Sequence, residues 1–436
     1  MNQKRGTTMT TLTSEHIKAP SRTRVISAVS IGNALEYYDL TLFTFFAVTI
    51  GKVAFPSADP TAQILLSLGV YGTGYCARPL GGLLIGMFGD RYGRKAAVNL
   101  TLLLMAIGTM MIGLTPSHDA AGVLAPIVVI AGRLLQGFSA GGETGASTTL
   151  LAESAPPNER GFFASWQLAS QGLAVVIGAA IVSSLNTFLS PEAMNDWGWR
   201  IPFILGIVIV PIGLFLRSAV EETLDVDTAS KARAENPVGS VITLHWTRTL
   251  WAVLALLGAN AAYVILNLYV PTFGVRELHM SPATASTAAL VGGISMVIFA
   301  PLGGLLSDRY GRKLPLILSR IAILALVYPA FLVVVETNSP AVLLIMVAVM
   351  SAIQGLGSGL MIAIVENFPK TVRVTGLSAA YAIGVMLSGG FGQMIVTWLI
   401  STTGSKLAPA LYVILIGAFS LIGVWNMFKP LQTEKA

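Results

Sequence analysis

GDRYGRK at residues 89–95 and SDRYGRK at 307–313 share six residues, and Asp308 lies 218 positions after Asp90 in a chain of 436. A repeat displaced by half the chain implies two halves of like construction. The flanks of the two copies decide what those halves are. Long apolar stretches lie on both sides of each copy, and about 20 such residues suffice for a helix to cross a roughly 30 Å hydrocarbon core. We count about twelve, near 25–54, 62–89, 96–115, 123–152, 161–189, 200–219, 249–274, 284–307, 314–335, 340–366, 372–402 and 407–428.

Composition agrees with that reading. The chain is 54% hydrophobic and 11% charged, with a mean hydropathy of +0.73, well outside the range of soluble domains. Gly-rich spans such as 69–89 and 132–145 suit close helix packing in lipid, and the alternation of transmembrane β-strands is not seen. The expected fold is therefore all-α and integral to the membrane. Residues 1–24 are polar and basic, without the apolar core and cleavage site of a signal peptide, so the first span is expected to act as its own insertion signal. Cys76 is the only cysteine and cannot form an internal disulfide.

Orientation follows from the basic residues. With both termini cytoplasmic, 20 of the 27 Lys and Arg residues fall inside. The outside would hold Lys52, Arg200, Arg276 and Lys406, while Arg78, Arg133 and Arg320 fall within spans. The net charge of +6 is then a matter of topology, and nucleic acid is not needed as a partner. The expected organisation is a cytoplasmic tail at 1–24, a six-helix bundle at 25–216, a hydrophilic cytoplasmic linker at 217–248, a second bundle at 249–428 and a tail at 429–436.

The repeat extends beyond the loop. Gln136-Gly137 and Gln354-Gly355 share the 218 offset, and Glu153, Pro156 and Arg160 return as Glu366, Pro369 and Arg373 at an offset of 213. Six spans return the second copy to the same membrane side, so the halves are parallel repeats, as in carriers whose bundles rock about a site between them. Gly86 and Gly304, four residues before each Asp, allow close helix approach, and Gly93 and Gly311 allow a tight turn. Asp90 is placed to cap the next helix or to face the positive N-terminus of another. These glycines together with Asp90, Asp308, Arg91, Arg94, Arg309 and Arg312 read as two conformational latches, against the plainer role of keeping the loops inside.

Gly86 to Lys95 resembles the G-x-x-x-D-R-x-G-R-K signature of the major facilitator superfamily, and Arg133 to Gly137 resembles its R-x-x-Q-G motif. GNALEYYD (32–39), ARPLGG (77–82), GRLLQGFSAGGE (132–143), DWGWRIPF (196–203) and VENFPKTVRVTG (365–376) resemble the metabolite:proton symporter family. That resemblance implies twelve spans in two bundles and uptake of citrate, tricarballylate, 2-oxoglutarate, shikimate, proline or betaine with protons. LEYYDLTLFTFFAVTIGKVAFP and SWQLASQ (165–171) look most like the citrate and tricarballylate branch.

Depth along the spans selects the site residues. At about 1.5 Å per residue from Arg24, Glu36 lies about 18 Å and Asp39 about 22 Å into the membrane, on neighbouring positions of one helix face with Asn33 a turn earlier. Two carboxylates in a low-dielectric site cannot cheaply both be ionised, so they are candidates to take up a proton. Arg78 and Arg133 are deep as well and suit carboxylate recognition. Glu143 returns to the face of Gln136 and joins the proton-coupling set. Permanent pairing of these acids with the two arginines is the alternative, although charges inside a membrane usually mark a pathway. Tyr37, Gln136, Gln167, Gln171, Asn260, Tyr263 and Asn267 complete the polar residues expected to face substrate, with helix-to-helix bonding the competing role for the amides. Arg320, seven residues beyond Lys313, is expected to reach back to the cytoplasmic surface.

Other classes lack support. All four histidines fall outside or at the ends of spans, which disfavours histidine relays and metal sites at depth. No Walker-type phosphate loop appears, so neither a nucleotide nor a cofactor is expected, and no catalytic constellation points to an enzyme. A channel would need a pore ring or filter. A drug exporter of the superfamily would be expected to carry G-P-x-x-G-G in the fifth span, which here reads GLAVVIGAAIV (172–182). The reading is a multi-pass carrier of the cytoplasmic (inner) membrane that takes up a small organic anion with protons, a zwitterionic osmolyte being the nearest alternative. The sequence does not set the oligomeric state.

Overall fold

The structure is a computed structural model that describes residues 22–57, 59–92, 94–141, 143–207 and 237–429. All its described secondary-structure elements are helical. The first span is Arg22–Phe45, continued past Phe46 by Ala47–Ala54; the second is Pro60–Tyr92 and the third Arg94–Gly113. The fourth consists of Leu124–Ala140 and Glu143–Glu153, and the fifth is Arg160–Phe188. Of the sixth, only Gly198–Ile207 falls among the described residues. The second half runs as Trp246–Leu268, Pro282–Tyr310, Lys313–Thr337, Pro340–Asn367, Arg373–Thr403 and Ala408–Met427. Apart from the sixth, most of whose expected stretch lies outside the described residues, these match the expected stretches in order, with ends displaced by a few residues.

Seven of the described helices are long and apolar enough to cross a membrane. Burial is inverted relative to a soluble protein. Leu80, Leu83, Leu84 and Met87 on the second span and Leu314, Leu318 and Ile321 on the ninth point outward, while Arg78, Arg133, Gln136 and Asn267 are buried. In lipid that arrangement satisfies both solvents, because the polar groups find partners inside the bundle.

Several spans are interrupted, and two of the breaks fall where the repeat places matching features. The fourth breaks at Gly141, and the tenth breaks between Leu356 and Leu360 across Gly357 and Gly359. Gly141 and Gly359 are again 218 residues apart. The seventh and eleventh spans contain short π-helical turns at Val264–Leu268 and Met386–Gly390, a distortion often found at functional sites.

Backbone contact holds the bundle tightly where glycine permits it. A methyl group on Gly137 would lie 1.7 Å from the Gly74 carbonyl oxygen, so the second and fourth spans touch main chain to main chain. Between the halves, the fifth and eighth spans meet in the same way: a methyl on Gly304 would lie 2.5 Å from the Gly161 oxygen, and one on Gly172 would lie 2.9 Å from the Gly293 oxygen.

The sequence expectation for Arg320 is overturned. Its side chain is 4% exposed and lines a cavity inside the bundle. The reason is local: Ser319 seats against Gly357 at the break in the tenth span, so this side of the ninth span packs against the bundle and Arg320 lies beside the cavity.

Candidate functional site

Two buried ion and hydrogen-bond systems lie in the first half. Arg78 Nη2 donates to Glu36 Oε1 at 3.1 Å, and both side chains are almost fully buried. The guanidinium also lies 4.5 Å over the Tyr75 ring, a cation–π contact that lowers the cost of its burial. Sequence proximity does not explain this pair, since 42 residues separate its members; the packing of the first span against the second does.

The second system is a chain of four side chains. Arg133 Nη1 donates to Gln136 Oε1 at 2.8 Å, Gln136 Nε2 donates to Thr109 Oγ1 at 3.0 Å, and Thr109 Oγ1 donates to Asp39. Arg133 Nη2 also donates to the Tyr71 carbonyl at 3.2 Å, and the guanidinium lies 4.7 Å from the Phe43 ring centroid and 4.8 Å from that of Tyr71, two rings that neighbour each other. Gly74 makes room for this head group; a methyl there would sit 3.3 Å from Nη2.

Thr109 gives this chain a useful property. Its hydroxyl has a single proton and lies within 2.9 Å of the Met105 carbonyl as well as against Asp39. With Asp39 ionised, Thr109 donates to the carboxylate. With Asp39 protonated, the acid donates to Thr109, which then donates to Met105. Both charge states of Asp39 therefore keep every partner satisfied, because a hydroxyl supplies one donor and two acceptor positions.

The amides fall into two groups. Asn33 and Gln167 bind each other across the first and fifth spans: Asn33 Nδ2 donates to the Gln167 carbonyl (3.0 Å) and to Ser170 Oγ (2.7 Å), and Gln167 Nε2 donates to Asn33 Oδ1 (2.8 Å). Asn267 is held similarly by Gln354 and Ser351. By contrast, Gln171, Asn260 and Tyr263 line a cavity of 50 Å³ between the halves. Tyr37 reaches across to the second half, where its hydroxyl bonds that of Tyr381 and its ring meets Tyr263 edge-on at 5.9 Å. Thr109 and Tyr381 were not singled out from sequence. Each is a polar atom in an otherwise apolar stretch, the same signal that marked Asn33.

Of the first DRYGRK copy, Gly86 lies in the helix of the second span, while Gly93 and the side chains of Asp90, Arg91 and Arg94 lie outside the described residues, as does the Glu143 side chain. The second copy forms a clasp between the halves. Asp308 accepts from the Gly161 and Phe162 backbone N–H groups, both at 2.8 Å, at the start of the fifth span. Arg312 donates to Asp308 at 2.5 Å and to both oxygens of Glu366 at 3.1 Å. Partial burial works against the Arg312 charge, but hydrogen bonds to Glu366 and Asp308 outweigh it and hold its pKa above the usual guanidinium value. Arg373 adds a bond to Glu153 at 3.2 Å. Gly311 takes φ +81°, the left-handed turn that suits glycine. Arg309 lies over the Tyr310 ring instead of joining the clasp. At the opposite end, Arg276 bonds Thr61 at 2.8 Å beside a cavity of 210 Å³.

Comparison with known proteins agrees with this architecture. The Major Facilitator Superfamily family model matches residues 29–392 and 275–435. The citrate-proton symporter of Klebsiella pneumoniae is 36% identical over 95% of each chain. The proline/betaine transporter of Salmonella typhimurium is 34% identical over 92% of this chain and 82% of that one. Among solved structures, a partially occluded inward-open conformation of the xylose transporter XylE from E. coli superposes with a TM-score of 0.74 over 95% of this chain and 99% of that one, at 14% identity. The chain is thus a multi-pass membrane transporter, not an enzyme, and it belongs to the metabolite:proton symporter family of the major facilitator superfamily.

Proposed function

We propose that this protein takes up a small organic acid, a di- or tricarboxylate such as citrate or tricarballylate, together with at least one proton, by alternating access. The observation that carries the proposal is the Asp39–Thr109–Gln136–Arg133 chain, in which the acid can gain or lose a proton without stranding a partner. The name of the Klebsiella relative supports the choice of substrate class. In this cycle Asp39 takes a proton from the outside, while Glu36 senses charge through Arg78. Substrate enters between Tyr37, Tyr263 and Tyr381, the halves close, and separation of the Asp308 clasp releases both ligands inside. Glu143 is assigned to the same proton pathway.

The proposed organisation keeps both termini in the cytoplasm of a cell whose inner membrane holds the protein. In that organisation the bundles are 25–216 and 249–428 and the linker is 217–248; residues 208–236 of these lie outside the described residues. A zwitterion such as proline or betaine is the second reading, because the Glu36–Arg78 pair offers one charge for each end of such a molecule and a relative at 34% identity is a proline/betaine transporter. The test is uptake of labelled citrate, tricarballylate, 2-oxoglutarate and proline into vesicles carrying the purified protein. Accumulation of an acid only under an inward proton gradient supports the proposal; accumulation of proline alone selects the second reading, and substrate-driven proton release refutes symport.

A further inference from the structure

Arg320 is the buried charge that the two systems described above leave unexplained. Arg78 has Glu36 and Tyr75, and Arg133 has Gln136, the Tyr71 carbonyl and two aromatic faces. Arg320 Nε and Nη1 are buried with no hydrogen-bond partner, as are Nε and Nη1 of Arg78 and Nε of Arg133, but of the three only Arg320 has no acceptor for any nitrogen and no carboxylate within ion-pair distance among the described residues. An uncompensated guanidinium inside a membrane protein is costly, and such groups face a cavity or a ligand.

Arg320 does face a cavity, the one of 50 Å³ between the halves, which it shares with Gln171, Asn260, Tyr263, Ser358 and Tyr381. The Tyr263 hydroxyl, also buried, has no partner either. One cation and one neutral donor without acceptors thus border the same space. A carboxylate supplies what is missing: one negative charge and two oxygens spaced for a guanidinium fork. The volume is enough for a few waters or one carboxylate group, since a single water needs roughly 10–15 Å³. A whole di- or tricarboxylate needs the cavity to widen. Arg320 lies seven residues, about 10 Å, into the ninth span from the DRYGRK end, and shares the cavity wall with Gly357 at the break of the tenth span.

We propose that Arg320, assisted by the Tyr263 hydroxyl, is the residue that grips a substrate carboxylate in the central cavity, leaving Arg78 and Arg133 to the proton-responsive pairs. This assignment rests on the organic-acid reading given above, and binding measured without a proton gradient separates the two. The experiment is thermal-shift titration of the full-length protein in detergent with citrate, succinate, betaine and chloride, for wild type, Arg320→Gln, Arg320→Lys and Tyr263→Phe. Loss of charge-assisted bonds is expected to weaken citrate about 10- to 100-fold in Arg320→Gln, with smaller losses in Arg320→Lys and Tyr263→Phe and a loss in the same direction for betaine, which also carries a carboxylate. Should Arg320→Gln not fold, reduced citrate affinity in the other two variants carries the test. Citrate affinity within twofold of wild type in the folded variants overturns the assignment, as does chloride acting as strongly as citrate or a wild type that binds no carboxylate. Citrate binding that depends on Arg320, without proton-driven uptake, would uphold the assignment and remove the symport reading alone.

Discussion

Replacing Asp308 with Asn isolates the clasp between the halves. Only contacts that break on separation count toward its strength, so the Arg312 bonds to Asp308 and Glu366, all within the second half, cancel to first order. What remains is the pair of 2.8 Å bonds from the Gly161 and Phe162 N–H groups to a carboxylate that is 6% exposed. Asn presents one acceptor and one amino group to these two donors, losing one bond outright and the charge from the other. Charge-assisted bonds contribute about 1.5–3 kcal/mol each, so the closed form should lose about 2–3 kcal/mol, equivalent to a shift of about 30- to 150-fold in the opening equilibrium. The Arg373–Glu153 bond persists, but with Glu153 50% exposed it contributes less than about 1 kcal/mol. The assay is alkylation of a cysteine placed at Ser358, on the cavity wall, after Cys76 has been replaced by Ser. Reaction with a polar maleimide should speed up about 30-fold or more in Asp308→Asn, while a cysteine at Gln63, beside the opposite cavity, should not. A Ser358→Cys rate within twofold of the parent would refute the clasp.

Other substitutions probe the buried charges and the helix contacts. Glu36→Ala strands the Arg78 guanidinium and should destabilise the protein by about 3–5 kcal/mol, whereas Glu36→Ala with Arg78→Leu should cost less than either change alone, read as melting temperature in detergent. Gly137→Ala would drive a methyl to 1.7 Å from the Gly74 oxygen, so the second and fourth spans must separate; loss of monodisperse protein on size exclusion is expected, and normal yield and melting would contradict it. Thr109→Val removes the hydroxyl that serves Asp39 in both charge states, and should shift the pH dependence of uptake more than it lowers uptake at the optimum, a profile that an unchanged curve would exclude.

Much of this was legible from the chain because membranes make the rules strict. The DRYGRK repeat and the apolar spacing led to the architecture, since a backbone in lipid has few alternatives to helices. Glu36, Asp39, Arg78 and Arg133 were conspicuous because a charge in an apolar stretch needs a reason. Partner choice was less legible. Glu36 with Arg78 and Asp39 with Thr109 depend on how spans rotate and cross, and rotation is set by glycines such as Gly74 and Gly137 whose partners lie far away in sequence. Arg320 shows the same limit: its distance from Lys313 suggested a surface residue, and only the Ser319–Gly357 contact reveals which way that helix faces.

In the proposed cycle, proton and substrate move inward together through a pathway that uses Asp39. The most direct measurement is the change in external pH when citrate is added to weakly buffered vesicles carrying wild-type protein or Asp39→Asn. Alkalinisation outside is expected for wild type and none for Asp39→Asn, with Asp39→Asn still exchanging labelled for unlabelled citrate. Acidification with wild type, or full alkalinisation with Asp39→Asn, would contradict that cycle.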